Sequence, residues 1–313
     1  MIDDFSGHIP VLLHPAVESL NPRPGGVYVD GTFGAGGHSR LLAERIGPEG
    51  VIIAFDRDAR VRERAEALDR EVECAVHFVP ASFAEMRHWT RELGFERVDG
   101  VLLDLGVSSM QLEDPERGFS FQREGQLDMR MDPSSGRTAA DLIATADQRE
   151  LADILFRYGE ERQSRRIAAA IVRQRQERPI RTTTELAELV ERTIGRPPGS
   201  RIHPATRTFQ ALRIAVNDEL GELERGLEAA LEVLAPGGRL VVISFHSLED
   251  RIVKQFIARE VKGCICPPEQ PVCTCGRVPT LKAVGRPVRP DEDEVARNPR
   301  ARSAIMRVAE RLP

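Results

Sequence analysis

The residues with the clearest chemical content form the run Asp30-Gly31-Thr32-Phe33-Gly34-Ala35-Gly36-Gly37-His38. Glycines at a strand-to-helix turn permit positive φ and let a ligand approach the backbone closely, so the run reads as a cradle for a mononucleotide-type cofactor. Alone the pattern is weak, because many such turns contain glycine. Two further acids strengthen it. Asp56 follows Gly36 by twenty residues and ends a second apolar run, where a carboxylate can accept both hydroxyl protons of a ribose. Asp104 ends a fourth run, Val101-Leu-Leu-Asp104, and adds a third carboxylate to the same edge. Each acid taken singly could be a helix N-cap or a solvated loop residue. Three at strand ends point to a site. His38, at the helix entry, reads as either a ligand contact or a surface residue.

Charge and spacing separate two candidate cofactors. A dinucleotide fingerprint uses G-x-G-x-x-G to seat a pyrophosphate on a helix N-terminus. Here the spacing is Gly34-x-Gly36-Gly37, preceded by Asp30. An acid there repels a pyrophosphate but suits the ammonium and sulfonium charges of S-adenosylmethionine, which is favoured over NAD. His246, in Ser244-Phe-His-Ser247 after another apolar run, is a second polar candidate at this edge, its alternative being a buried structural histidine.

Four of the five cysteines fall within twelve residues, as Cys264-Ile-Cys266 and Cys273-Thr-Cys275. Four thiols with prolines between them can make a tetrahedral zinc site, although Cys-x-x-Cys is the commoner spacing and a loop of thiols is the alternative. Five cysteines are too few for a disulfide scaffold and suggest a reducing compartment, with Cys74 a lone buried thiol.

These residues need a scaffold, and the flanking pattern supplies one. Near-continuous apolar runs at 27–30, 51–56, 76–79 and 101–104 read as strands buried on both faces. Segments 39–46, 58–68 and 83–93 between them read as helices, giving a parallel sheet covered on both sides. Residues 106–137 are rich in Gly, Pro, Ser and Asp and read as loop. Helices follow without strands. Asp147 with Glu150 forms a capping box ahead of 151–158, with Gly159 at the C′ position, and Thr182 with Glu185 repeats the box ahead of 186–190. Pro197-Pro198-Gly199 ends that run. Leu220, Leu223, Leu227, Leu231 and Leu234 then mark one helix face, stopped by Pro236-Gly237-Gly238, and 240–244 and 305–309 are further strands. The expected organisation is one α/β domain, 1–114 and 211–313, interrupted by an all-helical domain, 115–210.

Of the 313 residues 41% are hydrophobic and 30% charged, as in a soluble globular chain. No apolar run approaches the roughly 18 residues of a membrane span. The start, Met1-Ile2-Asp3-Asp4-Phe5, is acidic where a signal peptide is basic, so a cytoplasmic location is expected. Net charge is −5, yet residues 155–213 hold thirteen Arg against six Glu, leaving −12 elsewhere. One basic module on an acidic body is expected to meet phosphates. Because 41 of the 44 basic residues are arginine, genome composition is a competing cause. Arg162, Arg165, Arg166 and Arg173, with Arg175 and Arg178 nearby, have near-helical spacing for a phosphate-facing stripe. The alternative is a solvated face paired with Glu160 and Glu161.

Asp30–Ser39, Leu103-Asp-Leu-Gly-Val-Ser-Ser109, Leu127-Asp-Met-Arg-Met-Asp132, His203-Pro-Ala-Thr-Arg-Thr-Phe-Gln210, Ser244-Phe-His-Ser-Leu-Glu-Asp-Arg251 and Asn298-Pro-Arg-Ala-Arg-Ser303 resemble motifs of the bacterial RsmH (MraW) family, from His8 to about Arg311. The resemblance implies a Rossmann-like class I methyltransferase: a doubly wound, mostly parallel sheet with an inserted all-helical domain. It also implies S-adenosylmethionine-dependent methylation of the N4 amine of a decoding-region cytidine in 16S ribosomal RNA. By matching motifs, Gly36, Gly37 and His38 face the methionine part of the donor, Asp56 its ribose and Phe83 its adenine, while Asp104 and Gln111 complete the contacts. Asp104 and His246 are the catalytic candidates. Many amine methyltransferases follow the fourth strand with an acidic or amide residue and Pro-Pro-aromatic. This chain has Asp104-Leu-Gly-Val-Ser-Ser109 instead, so that acceptor geometry does not transfer. The implied partner is 16S ribosomal RNA in the small subunit, with no membrane; a homodimer is left open. An NAD-linked dehydrogenase and a non-catalytic, zinc-stabilised RNA-binding module are the other readings, and cofactor binding separates all three.

Overall fold

The computed structural model describes residues 10–196, 199, 202–267, 270–272 and 274–313. Contacts divide the chain into two units, Met1–Gly106 with Leu220–Pro313, and Val107–Glu219. The helical unit therefore begins eight residues before 115 and ends nine after 210. The physical reason is core membership. Val107 and Leu112 pack on the helical core, and a cut at 210 would bisect a helix whose Phe209, Ala211 and Leu212 are buried there.

In the first unit the chain runs α1 (Leu13–Ser19), β1 (Val27–Asp30), α2 (Gly37–Ile46), β2 (Val51–Phe55), α3 (Arg62–Glu71), β3 (Ala75–Val79), α4 (Met86–Glu92) and β4 (Val98–Asp104). The second unit holds α5 (Ser109–Glu113), α6 (Ala139–Thr145), α7 (Gln148–Gly159), α8 (Ser164–Glu177), α9 (Thr183–Ile194) and α10 (Thr206–Asn217). α11 (Glu219–Val233) starts at the boundary. The first unit then finishes with β5 (Leu234–Ser244), α12 (Ser247–Lys262), β6 (Leu281–Ala283), α13 (Glu292–Arg297) and β7 (Ile305–Arg311). No helix among the described residues is long and apolar enough to cross a membrane.

The apolar runs form a seven-stranded sheet in the order β3-β2-β1-β4-β5-β7-β6. β1 to β5 are mutually parallel, and β7 lies antiparallel between β5 and β6. Val29, Ile53, Leu103 and Val242 are fully buried, each side chain contributing about 1.5–3 kcal/mol through its removal from water. This topology positions the acids. From β1 the chain winds outward through β2 to β3, then returns to β4 on the other side of β1. The loops after β1 and β4 consequently leave on opposite faces, and a crevice opens at their carboxyl ends. Because the strands are parallel and in register (Asp30 beside Leu102, Asp104 beside Ile243), Asp30, Asp56 and Asp104 share one edge of the sheet.

Local departures from the sequence reading have identifiable causes. Gly159 is still helical, and Glu160 takes the left-handed cap at φ 49°. Asp147 caps α7 through the Glu150 amide at 2.8 Å, but Glu150 faces Arg137 at 3.8 Å and the reciprocal half of a box is not formed. Pro236-Gly237-Gly238 lies inside β5, where the register with β4 shifts. α5 interrupts the segment read as loop, and the three-residue edge strand β6 is too short to leave a pattern.

The helical unit has its own core, including Leu151 and Leu155 of α7, Ile167 and Ile171 of α8, and Leu186 and Val190 of α9. Thr182 and Glu185 close the box predicted at the start of α9.

Candidate active site

The loop after β1 is held from beneath. Asp30 is 2% exposed; its Oδ2 accepts the Ser39 hydroxyl at 2.6 Å and its Oδ1 the Thr32 amide at 3.1 Å. Thr32 Oγ1 in turn accepts the Asp104 amide at 2.7 Å, which ties the loop to the end of β4. Gly36 stands at φ 79° and donates to the Phe33 carbonyl at 2.8 Å. A Cβ on Gly36 would sit 2.7 Å from Phe33 Cζ, so both conformation and space require glycine. Gly37 begins α2, and no side chain caps that helix. Its first-turn amides are suited to a carboxylate.

Asp56 follows β2. Its Oδ2 accepts the Gly34 amide and its Oδ1 the Asp58 amide, both at 2.8 Å. Burial pushes the carboxyl up to about 6 against the pull of these two amides. The acid therefore shapes the glycine loop.

Asp104 is raised by both burial and like charge. Burial, followed by the charges of Asp30 and Glu249, raises its carboxyl well above the usual range. Its Oδ1 is buried without a hydrogen-bond partner, and its Oδ2 lies 3.8 Å from His38 Nδ1. Burial also raises Asp30 and lowers His38 to about 4, so the imidazole is neutral at pH 7 and makes no ion pair with Asp104. His38 Nε2 lies 3.3 Å from the Val11 carbonyl. Donation there leaves Nδ1 bare, and 3.8 Å is too long for a direct bond to Asp104. His38 is thus a buried residue facing the cluster, not a surface one.

His246 caps α12. Its Nδ1 accepts the Glu249 amide at 3.4 Å, while Glu249 Oε2 accepts the Phe245 and His246 amides at 2.7 and 3.2 Å. Its Nε2 is 3.2 Å from Glu249 Oε1, in a geometry that makes no hydrogen bond. The Ser-Phe-His-Ser turn is therefore built by a reciprocal box.

Phe83 opens a 3-10 turn after β3, and its ring lies against Gly226 of α11. Ser82 bonds the Ala84 amide at 3.1 Å and also Glu222. Gln111 belongs to the helical unit, where its amide oxygen takes the Ser108 amide at 3.0 Å in the box that starts α5. Glu249, absent from the sequence-derived site, joins Asp30 in raising Asp104. Glu249 was legible as the third residue after a histidine N-cap.

Away from the cluster, Cys264, Cys266 and Cys275 group their sulfurs within 4.8 Å, and Cys273 lies outside the described residues. Cys74 is buried, which raises its thiol. In the helical unit Arg166 bonds the Thr193 carbonyl, Arg175 those of Ile143 and Ala146, and Arg178 pairs with Glu185. Three arginines of the expected cationic segment thus have partners within the unit, and Arg162, Arg165 and Arg173 are exposed. A cleft of about 480 Å³ in this unit is lined by Arg149, Asp153, Arg157, Tyr158, Ile214 and Asp218, among others.

One buried and two half-buried acids around a helix entry with no side-chain cap suit a ligand carrying both a carboxylate and positive charge. Comparison with known proteins agrees with that chemistry. A Geobacter sulfurreducens protein named Ribosomal RNA small subunit methyltransferase H is 55% identical over 309 residues, covering 97% of this chain and 99% of that one. One of the same name from Thermomicrobium roseum is 53% identical over 306 residues, 97% of this chain and 94% of that one. Residues 5–312 match the MraW methylase family, and the chain belongs to it.

Proposed function

We propose that the protein transfers a methyl group from S-adenosylmethionine to the N4 amine of a decoding-region (P-site) cytidine in 16S ribosomal RNA of the small subunit. The observation that carries the reading is the cluster of Asp30, Asp56 and Asp104 at the ends of three parallel strands, beside the Gly36 turn. When bound, the donor supplies an electrophilic methyl on a sulfonium. The names of the relatives support a ribosomal RNA substrate.

In this reading the first-turn amides of α2, from Gly37 and His38, take the methionine carboxylate, with Gly36 shaping the turn. Asp56 accepts the ribose hydroxyls, and Phe83 flanks the adenine. Neutral His38 adds no positive charge to repel a sulfonium. An NAD pyrophosphate would meet Asp30 and Asp104 instead, which disfavours the dehydrogenase reading. The helical unit, with exposed Arg162, Arg165 and Arg173, is assigned to RNA phosphates.

A cytosine amine is a poor nucleophile because its lone pair is delocalised into the ring. It must be held in line with the methyl group, at about 3–3.5 Å, and relieved of a proton as it becomes tetrahedral. Extrusion of the base from its stack brings it within reach. Asp104 Oδ1, buried and without a partner, is the acceptor. A positive charge beside Asp104 drives its carboxyl toward the ionised form, and the oxygen then accepts the amine proton. His246 serves as a positioning residue through the turn it caps.

The test uses small subunits that lack the modification, incubated with the protein and methyl-labelled S-adenosylmethionine. Label in 16S ribosomal RNA is expected. Donor binding without transfer to RNA would refute the substrate, and NAD binding in its place would refute the donor.

A further inference from the structure

The loop between α12 and β6 takes no part in the site above. Its two ends meet at Glu260, which is 1% exposed. Glu260 accepts the Thr280 hydroxyl at 2.6 Å, Arg259 at 2.7 Å and Arg277 at 3.3 Å, and its carbonyl accepts the Thr280 amide at 3.0 Å. Gly263 turns the chain at φ 67°, where a Cβ would come within 2.5 Å of Pro279 N. Between these fixed ends the described residues form neither helix nor strand, and Ile265 and Val272 are 58% and 69% exposed. Among its described residues neither an apolar core nor a backbone ladder orders this loop, so a covalent or coordinate link would matter there.

Three sulfurs converge within it. Cys264, Cys266 and Cys275 Sγ all lie within 4.8 Å of one another, and Cys264 and Cys275 Sγ are 3.8 Å apart. A disulfide holds its sulfurs at about 2.05 Å. By contrast, zinc–sulfur bonds of about 2.3 Å at tetrahedral angles set sulfur–sulfur edges of about 3.8 Å. The observed separation matches the coordinate geometry. The Thr274 and Cys275 amides are also directed at Cys266.

We propose that Cys264, Cys266 and Cys275 form a structural site for one thiophilic divalent cation, Zn²⁺, which clamps the loop between α12 and β6. Binding exchanges three thiol protons for the metal, and no oxidant or reductant is needed. The site contains no residue assigned to methyl transfer, and the proposal does not depend on the donor or the RNA substrate.

The test measures metal content by elemental mass spectrometry on full-length protein, purified under reducing conditions and supplied with Zn²⁺. One equivalent per chain is expected, falling to background in Cys264→Ser/Cys275→Ser. Co²⁺ in place of zinc should give intense sulfur-to-metal charge-transfer absorption, absent from the variant. Chelation should speed tryptic cleavage after Lys262 and Arg277, with thermal unfolding of the rest of the chain showing that the sheet persists. Protein that retains no zinc, or a double variant that retains as much as the parent, overturns the proposal. So does a Cys264–Cys275 disulfide that survives reduction and excludes the metal.

Discussion

Asp56→Asn separates the electrostatics of the donor site from its shape. The wild-type carboxyl titrates near 6, raised by burial, so its protonation changes across an accessible range. Two dependences of opposite sign follow. Folding favours the protonated acid: between about pH 4 and 6 the native state holds a proton that the unfolded chain has released. Stability therefore falls as pH rises through that window, by at most about 3 kcal/mol at 1.36 kcal/mol per unit, less for the partial exposure of the group. Ribose binding favours the ionised acid, because a carboxylate can accept from two hydroxyls. At pH 5 about a tenth of Asp56 is ionised, so its contribution weakens donor affinity roughly tenfold relative to pH 7.5, or about 1.4 kcal/mol. Asp30 and Asp104 are raised as well and His38 is lowered, so the quantity to measure is the difference between wild type and variant. Titration calorimetry of S-adenosylmethionine from pH 5 to 7.5 should show wild-type affinity rising with pH. Asp56→Asn should be weaker by about 1–3 kcal/mol at pH 7.5, with a flatter profile. An unchanged pH slope in the variant would refute the assignment of Asp56.

Other expectations rest on separate contacts. Gly36→Ala places a Cβ 2.7 Å from Phe33 Cζ in a left-handed turn, so stability should fall by at least about 1–2 kcal/mol and donor affinity with it; an unchanged melting temperature would contradict this. Asp104→Asn should lower turnover by about 10²–10⁴ while thermal stability at pH 7 holds or rises, because a buried acid is lost; near-normal kcat would remove Asp104 from the chemistry. His246→Ala should cost about 1 kcal/mol by uncapping α12, while His246→Asn should recover both stability and turnover. Recovered stability with lost turnover would instead make the imidazole catalytic.

The parallel strands were legible because strands buried on both faces carry little but apolar residues, and the acids that end them stand out against that background. The glycine turn was legible for a related reason, since Gly36 has no alternative at its φ. The electrostatic character of the site was not. His38 is neutral because burial outweighs the opposing pull of the Val11 carbonyl, 27 residues away in sequence. Asp104 is raised in part by Glu249, which reaches it only through the pairing of β4 with β5. His246 as a cap was half-visible, with Glu249 three residues on, but histidine is an unusual residue there. Spacing did not show that Arg166 and Arg175 also bond carbonyls outside their own helix, because those partners are distant in sequence.

The central claim is tested most directly by nucleoside mass spectrometry of 16S ribosomal RNA from unmodified small subunits treated with the protein and isotope-labelled S-adenosylmethionine. Labelled N4-methylcytidine is expected at a single decoding-region position, formed at least about a hundredfold more slowly when Asp104→Asn replaces the wild type. Label on a different base, or on the ring carbon of cytidine, would contradict it.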